Sequence, residues 1–113
     1  MMYEGDNRPW SEQYRLAGEV WADKEAAAQM YEDTKSSILS QRCKELGDIA
    51  VNRAEQEVKS SPFWREHVRK IVEARKEANK ARIELDYIRM KFYEWQSQQA
   101  NSRAELRTLG ATT

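Results

Sequence analysis

Residues 64–109 read WREHVRKIVEARKEANKARIELDYIRMKFYEWQSQQANSRAELRTL. Apolar or seam-compatible residues recur here at alternating steps of three and four: Trp64, His67, Ile71, Ala74, Ala78, Ala81, Leu85, Ile88, Phe92 and Trp95. Gln99, Ser102, Leu106 and Leu109 continue the register in more polar form. A mean step of about 3.5 residues over roughly six heptads is the pattern of a helix wound on other helices. At about 1.5 Å per residue, a helix from Pro62 to Leu106 would be on the order of 65–70 Å long. A compact domain of about 100 residues has a radius of gyration near 13 Å. The stripe therefore predicts an elongated chain that completes its core with copies of itself or with a partner. The expected oligomer seam is Ile71, Ala74, Ala78, Ala81, Leu85, Ile88, Phe92 and Trp95.

Upstream of this stretch, Ser60-Ser61-Pro62 predicts a helix restart, with a serine N-cap and proline in the first turn. A short helix precedes it, with Asp48 as its expected cap and Ile49, Ala50, Ala54 and Val58 as its apolar positions. Gly47 reads as the C-terminal stop of a longer first helix. That helix starts after an N-cap at Ser11 and carries a weaker face of Tyr14, Ala17, Trp21, Ala28, Tyr31 and Ile38. The expected organisation is one domain: a flexible arm over 1–10, helices over 11–46, 48–60 and 62–108, and a tail over 109–113. The fold class is all-α, a long antiparallel helical hairpin or coiled coil with a short helical elbow, oligomerising through the long C-terminal helix.

Composition narrows the functional classes. The chain has 113 residues, four Gly, two Pro and 34% charged residues, a helical or coiled-coil profile. No apolar run is long enough for a membrane span, so no membrane partner is expected. The single cysteine, Cys43, excludes an internal disulfide framework and suits a reducing compartment. Met1 to Pro9 carries Glu4 and Asp6 and no apolar signal core, so a cytoplasmic location is expected. Charge is zero overall, but residues 1–61 carry an excess of Asp and Glu and residues 62–113 an excess of Lys and Arg. The two halves are suited to pair with each other, or to leave a basic face for an acidic partner.

No catalytic constellation is present. His67 is the only histidine and sits in the heptad seam, where a locally hydrogen-bonded, half-buried residue is expected. Glu73 and Glu77 lack the Glu-x-x-His partners of helix-borne di-metal sites. Neither a metal nor a cofactor is expected, and no enzyme activity. The tryptophans divide by position: Trp21 and Trp95 read as core, Trp10 and Trp64 as staples at helix starts.

The basic residues are the most organised feature. Arg75, Arg82 and Arg89 recur once per heptad, and Arg103 returns to their line. A second line runs through Arg65, Arg69, Lys76, Lys80, Tyr87 and Lys91. Arg75, Lys76, Lys80, Arg82 and Arg89 are the candidate nucleic-acid-binding set. Cations along a helix with nearby rings suit single-stranded nucleic acid, where phosphates meet charge and bases stack. Positions flanking a seam also hold interhelical salt bridges, so pairing with the acidic first helix stands as the other reading.

As strings, Ser60-Ser61-Pro62-Phe63-Trp64, His67-Val68, Val72-Glu73-Ala74-Arg75, Ala78-Asn79-Lys80-Ala81, Phe92-Tyr93-Glu94-Trp95 and Arg103-Ala104-Glu105-Leu106-Arg107 resemble small all-helical proteins of tailed bacteriophages and prophages encoded among recombination genes. In overall shape the chain is similar to phage recombination mediators. The resemblance covers roughly residues 48–107 and implies an oligomeric helical protein of the host-cell cytoplasm that binds single-stranded DNA and helps load a recombinase. It transfers no site residue. The alternative is a small phage adaptor or inhibitor of a host immunity or nuclease complex, acting through Glu19, Asp23, Glu25, Glu32 and Asp33. A virion assembly component is a third class that the sequence neither favours nor excludes.

Overall fold

The computed structural model describes residues 6–111. Three α-helices follow in order: α1, Trp10–Glu45; α2, Val51–Lys59; and α3, Pro62–Ala111. Residues 1–5 of the expected arm and 112–113 of the expected tail lie outside the described residues. The molecule is a rod of 91 × 21 × 18 Å with a radius of gyration of 24.7 Å, nearly twice the roughly 13 Å of a compact chain this long. It is an all-α helical hairpin. α1 and α3 run antiparallel: the start of α1 at Trp10 lies beside Ile88 and Phe92, and its last turns bring Arg42 onto the Phe63 ring.

The helix ends follow local chemistry, with some departures from expectation. α1 begins at Trp10 with Pro9 at its N-cap, so Ser11 lies inside the helix. The backbone amides of Glu12 and Gln13 donate to the Pro9 carbonyl at 3.0 and 3.1 Å. Buried Gln13 donates its side-chain amide to the Arg8 carbonyl at 2.9 Å, fastening the incoming chain to the first turn. α1 stops at Leu46, and Gly47 follows at φ 84°, a left-handed conformation that glycine enters without Cβ cost. Asp48 does not cap α2; its N-cap is Ala50, with no side-chain bond. At the elbow Ser61 Oγ accepts from the Trp64 amide at 3.2 Å and donates to the Val58 carbonyl, a side-chain cap between two helices. α3 continues to Ala111 instead of fraying from residue 109.

Burial along α3 is uneven. Trp64, Ile71, Ala78, Ala81, Leu85 and Ile88 are buried, and Ala74 and Phe92 are half-buried. Ala17, Leu85 and Ile88 form the centre of the core, with Trp10 and Trp21 packed against it. Buried alanines on both long helices (Ala17 and Ala28, Ala78 and Ala81) leave room for their backbones to approach closely. The expected oligomer seam is thus taken up, as far as Phe92, by the chain's own first helix. Trp95 departs from its expected core role and is 43% exposed. Beyond Phe92, every residue from Tyr93 to Gly110 is exposed.

Candidate functional site

The five candidate cations do not form one track, because α3 turns them onto different flanks and α1 neutralises only some of them. Arg75 points inward. Its Nε donates to Glu32 Oε1 at 2.8 Å, its Nη2 to Glu32 Oε2 at 2.9 Å, and its Nη1 to Glu25 Oε2 at 2.7 Å. This fork ties α3 to two successive heptads of α1, and all three side chains are about two-thirds covered. The Arg75 hydrogen bonds hold the Glu32 carboxyl below its usual range, and the same carboxylates hold the guanidinium more firmly protonated. For Arg75, then, the interhelical pairing reading holds.

Arg82 lies 5.6 Å from the Trp21 ring, a cation–π contact across the helix interface. Arg89 donates to Asp86 at 2.6 Å on its own helix. Lys76 and Lys80 are exposed, and among the described residues neither has an ion-pair partner. At about 100° per residue Lys76 projects from the side of α3 turned away from the buried seam, and Lys80 lies at the edge of that side, above a groove it lines with Val20 and Lys24 of α1. Val72, Ile83, Tyr87 and Met90 share this outer side and are exposed. Of the second line of the sequence reading, Lys76 and Lys80 are therefore exposed cations without ion-pair partners among the described residues, and of the first line Arg75 is the interhelical clamp.

The acidic candidates divide in the same way. Glu25 and Glu32 are held by Arg75. Glu19 accepts from Arg15 at 2.7 Å, and Asp33 from Gln29 at 2.9 Å. With exposed Asp23 they lie on the outer side of α1.

Two features escaped sequence reasoning. At the elbow, Arg42 lies 3.6 Å from the Phe63 ring centre, and Phe63 stacks on His67 with ring centres 6.1 Å apart and planes within 1°. Trp64 and Tyr31 complete the cage at 5.7 and 6.4 Å. His67 Nε2 is buried there without a hydrogen-bond partner, where local hydrogen bonding was expected. At the far end of the hairpin, Trp10, Tyr14, Ile88, Arg89, Phe92 and Tyr93 line a cavity of about 420 Å³. Its walls come from the N-terminal end of α1 and the middle of α3, segments about 80 residues apart in sequence that only the antiparallel stagger of the two helices brings together.

Among the described residues no cluster of three or more His, Cys, Asp or Glu has metal-binding geometry, and no helix is long and apolar enough to cross a membrane. No protein-family model matches the chain, and no curated protein or solved structure matches it either.

Proposed function

We propose that this chain is a non-enzymatic helical protein that binds single-stranded DNA along the outer side of α3. By the resemblance of residues 48–107 to small helical phage proteins encoded among recombination genes, and by a similarity in overall shape to recombination mediators, it would assist recombination in the host cytoplasm. The observation that carries the reading is the pair Lys76 and Lys80, exposed, without ion-pair partners among the described residues, and flanked along the helix by exposed Val72 before them and Ile83 and Tyr87 after them. One helical turn separates the two ammonium groups, so both reach successive phosphates of an extended strand while apolar side chains offer surface to the bases. Arg82 sits at the edge of this face. Arg75 leaves the DNA-binding set, because releasing it would strip Glu25 and Glu32 of their cation.

Titration of a labelled single-stranded oligonucleotide at low and moderate salt tests the proposal. Lys76→Gln with Lys80→Gln should weaken binding across sequences and flatten the log–log salt slope by about 1.4, the share of two phosphate contacts. Helicity should not change, since both residues are exposed. Wild-type protein that binds no DNA at low salt would end this reading. The adaptor reading would then take its place, supported by Glu19, Asp23 and Asp33 on the outer side of α1, a surface for a basic protein partner.

A further inference from the structure

α1 covers the α3 seam only as far as Phe92, yet α3 continues in the same register to Ala111. The projecting end is about 27 Å of helix, on which Trp95 is 43%, Leu106 68% and Leu109 64% exposed. A helix segment supported only by its own hydrogen bonds is marginal in water, and this one keeps an apolar stripe pointed at solvent.

The geometry points to a second copy of this chain as the cover: the projecting ends of two α3 helices pair antiparallel about a two-fold axis. Three observations select this occupant. The first is length. A second copy brings a projecting end of the same length, so in an antiparallel overlap each is covered over its whole span.

The second is register. Laid antiparallel, the seam residues match in kind: Phe92 falls opposite Leu109, Trp95 opposite Leu106, and Gln99 opposite Ser102. By the two-fold, each match occurs twice. A slip of one heptad would set Trp95 opposite Gln99 and Phe92 opposite Ser102, burying polar groups against rings. In the matched register the flanking neighbours are Gln98 beside Glu105 and Gln96 beside Arg103, pairs able to hydrogen-bond.

The third is the cavity. Leu109 of the second copy arrives at Phe92, at the mouth of the roughly 420 Å³ space beside Trp10 and Tyr14. There the C-terminal end of one α3 meets the N-terminal end of the other chain's α1, and the partial charges of the two helix ends are opposite. Phe92 and Trp95 already stack, with ring centres 6.1 Å apart, as a preformed apolar platform. Each α1 is thereby extended by the other chain's α3, and the stripe is covered from end to end.

An overlap this short lies at or below the low end of stable interfaces, about 1,200 Å², so the pairing should have a micromolar dissociation constant. Light scattering coupled to size exclusion should give twice the 13.3 kDa chain mass at about 100 µM. Leu106→Asp, at an exposed position, should weaken the dimer at least tenfold and leave the helix content of the hairpin unchanged. The register has its own test in a Cys43→Ser background. A Gln99→Cys chain mixed with a Ser102→Cys chain should form the mixed disulfide under mild oxidation, read by mass, and a Gln99→Cys chain mixed with a Leu109→Cys chain should form no mixed disulfide. A wild-type monomer at about 100 µM, a dimer that survives Leu106→Asp, or a mixed disulfide in the mismatched pair would each overturn the inference. None of these outcomes depends on DNA binding.

Discussion

The stretch from Pro62 to Phe92 and the stretch from Tyr93 to Gly110 belong to one unbroken helix and follow one heptad register, yet only the first is a core. In the first, Ile88 is fully buried and Leu85 nearly so. In the second, Leu106 and Leu109 occupy equivalent seam positions and remain about two-thirds exposed. The difference is the presence of α1, which begins at Trp10, opposite the boundary. A periodic stripe records which side of a helix is to be covered; burial, and the stability it brings, depends on where the second helix stops.

The widest separation between the two stretches should come from placing the same charge in each. Ile88→Asp buries an uncompensated carboxylate and should cost about 3–5 kcal/mol, unfolding much of the hairpin. Leu106→Asp, measured in dilute solution, should change stability by no more than about 0.5 kcal/mol. Thermal melts followed by circular dichroism compare the two directly. Equal losses would mean that the projecting end is as buried in solution as the hairpin.

Ser61→Ala removes the side-chain cap on the Trp64 amide, and should lower hairpin stability by about 1 kcal/mol. A denaturant titration should show the shift without changing any pairing of the α3 ends, since the elbow lies at the opposite pole of the rod.

Arg75→Gln should lower the melting midpoint by a few degrees, because Glu25 and Glu32 lose their shared cation. It should also change the response to acid. In the folded protein the Glu32 carboxyl titrates below its ordinary value of 4.5, so the unfolded chain binds more protons in that range. Its contribution is complete above that ordinary value and is lost as pH falls through the lowered folded value. Glu12 and Glu66, held low by Arg15 and Arg69, are retained in both proteins, so the difference between wild type and Arg75→Gln isolates the Arg75 clamp. Wild type should lose more stability on acidification than the variant; parallel pH profiles would refute the clamp.

The smallest expected effect is at His67. Its Nε2 is buried without a partner, and Phe63 already stacks on the ring. His67→Phe should leave stability unchanged or raise it by up to about 1 kcal/mol. A clear loss would show that the imidazole has a hydrogen-bonding role.

Much of the fold was legible because its signals are local. The 3–4 spacing from Trp64 onward specifies a long helix, Gly47 takes the left-handed turn that ends α1, and Ser61-Pro62 starts α3. The N-cap of α1 lies two residues before the expected one, at Pro9 instead of Ser11. Asp48 offered a plausible cap that the backbone bypasses in favour of Ala50. The candidate site was less legible. Arg75 and Arg82 look alike in the sequence, one heptad apart, but one is clamped by two glutamates and the other lies over Trp21. Nothing local distinguishes them, since the choice depends on the rotation and stagger of α1 against α3.

By itself, then, the sequence determined that this chain is helical, where its helices break, and which side of each is apolar, since those properties follow from neighbours within a few residues. Only the tertiary structure decided how far the apolar stripe is covered, which cations are neutralised, and that Trp10 and Tyr14 meet Phe92 and Tyr93 around a cavity. Those outcomes depend on the axial offset between helices joined by a distant elbow, and a heptad pattern, repeating every turn or two, is compatible with several such offsets.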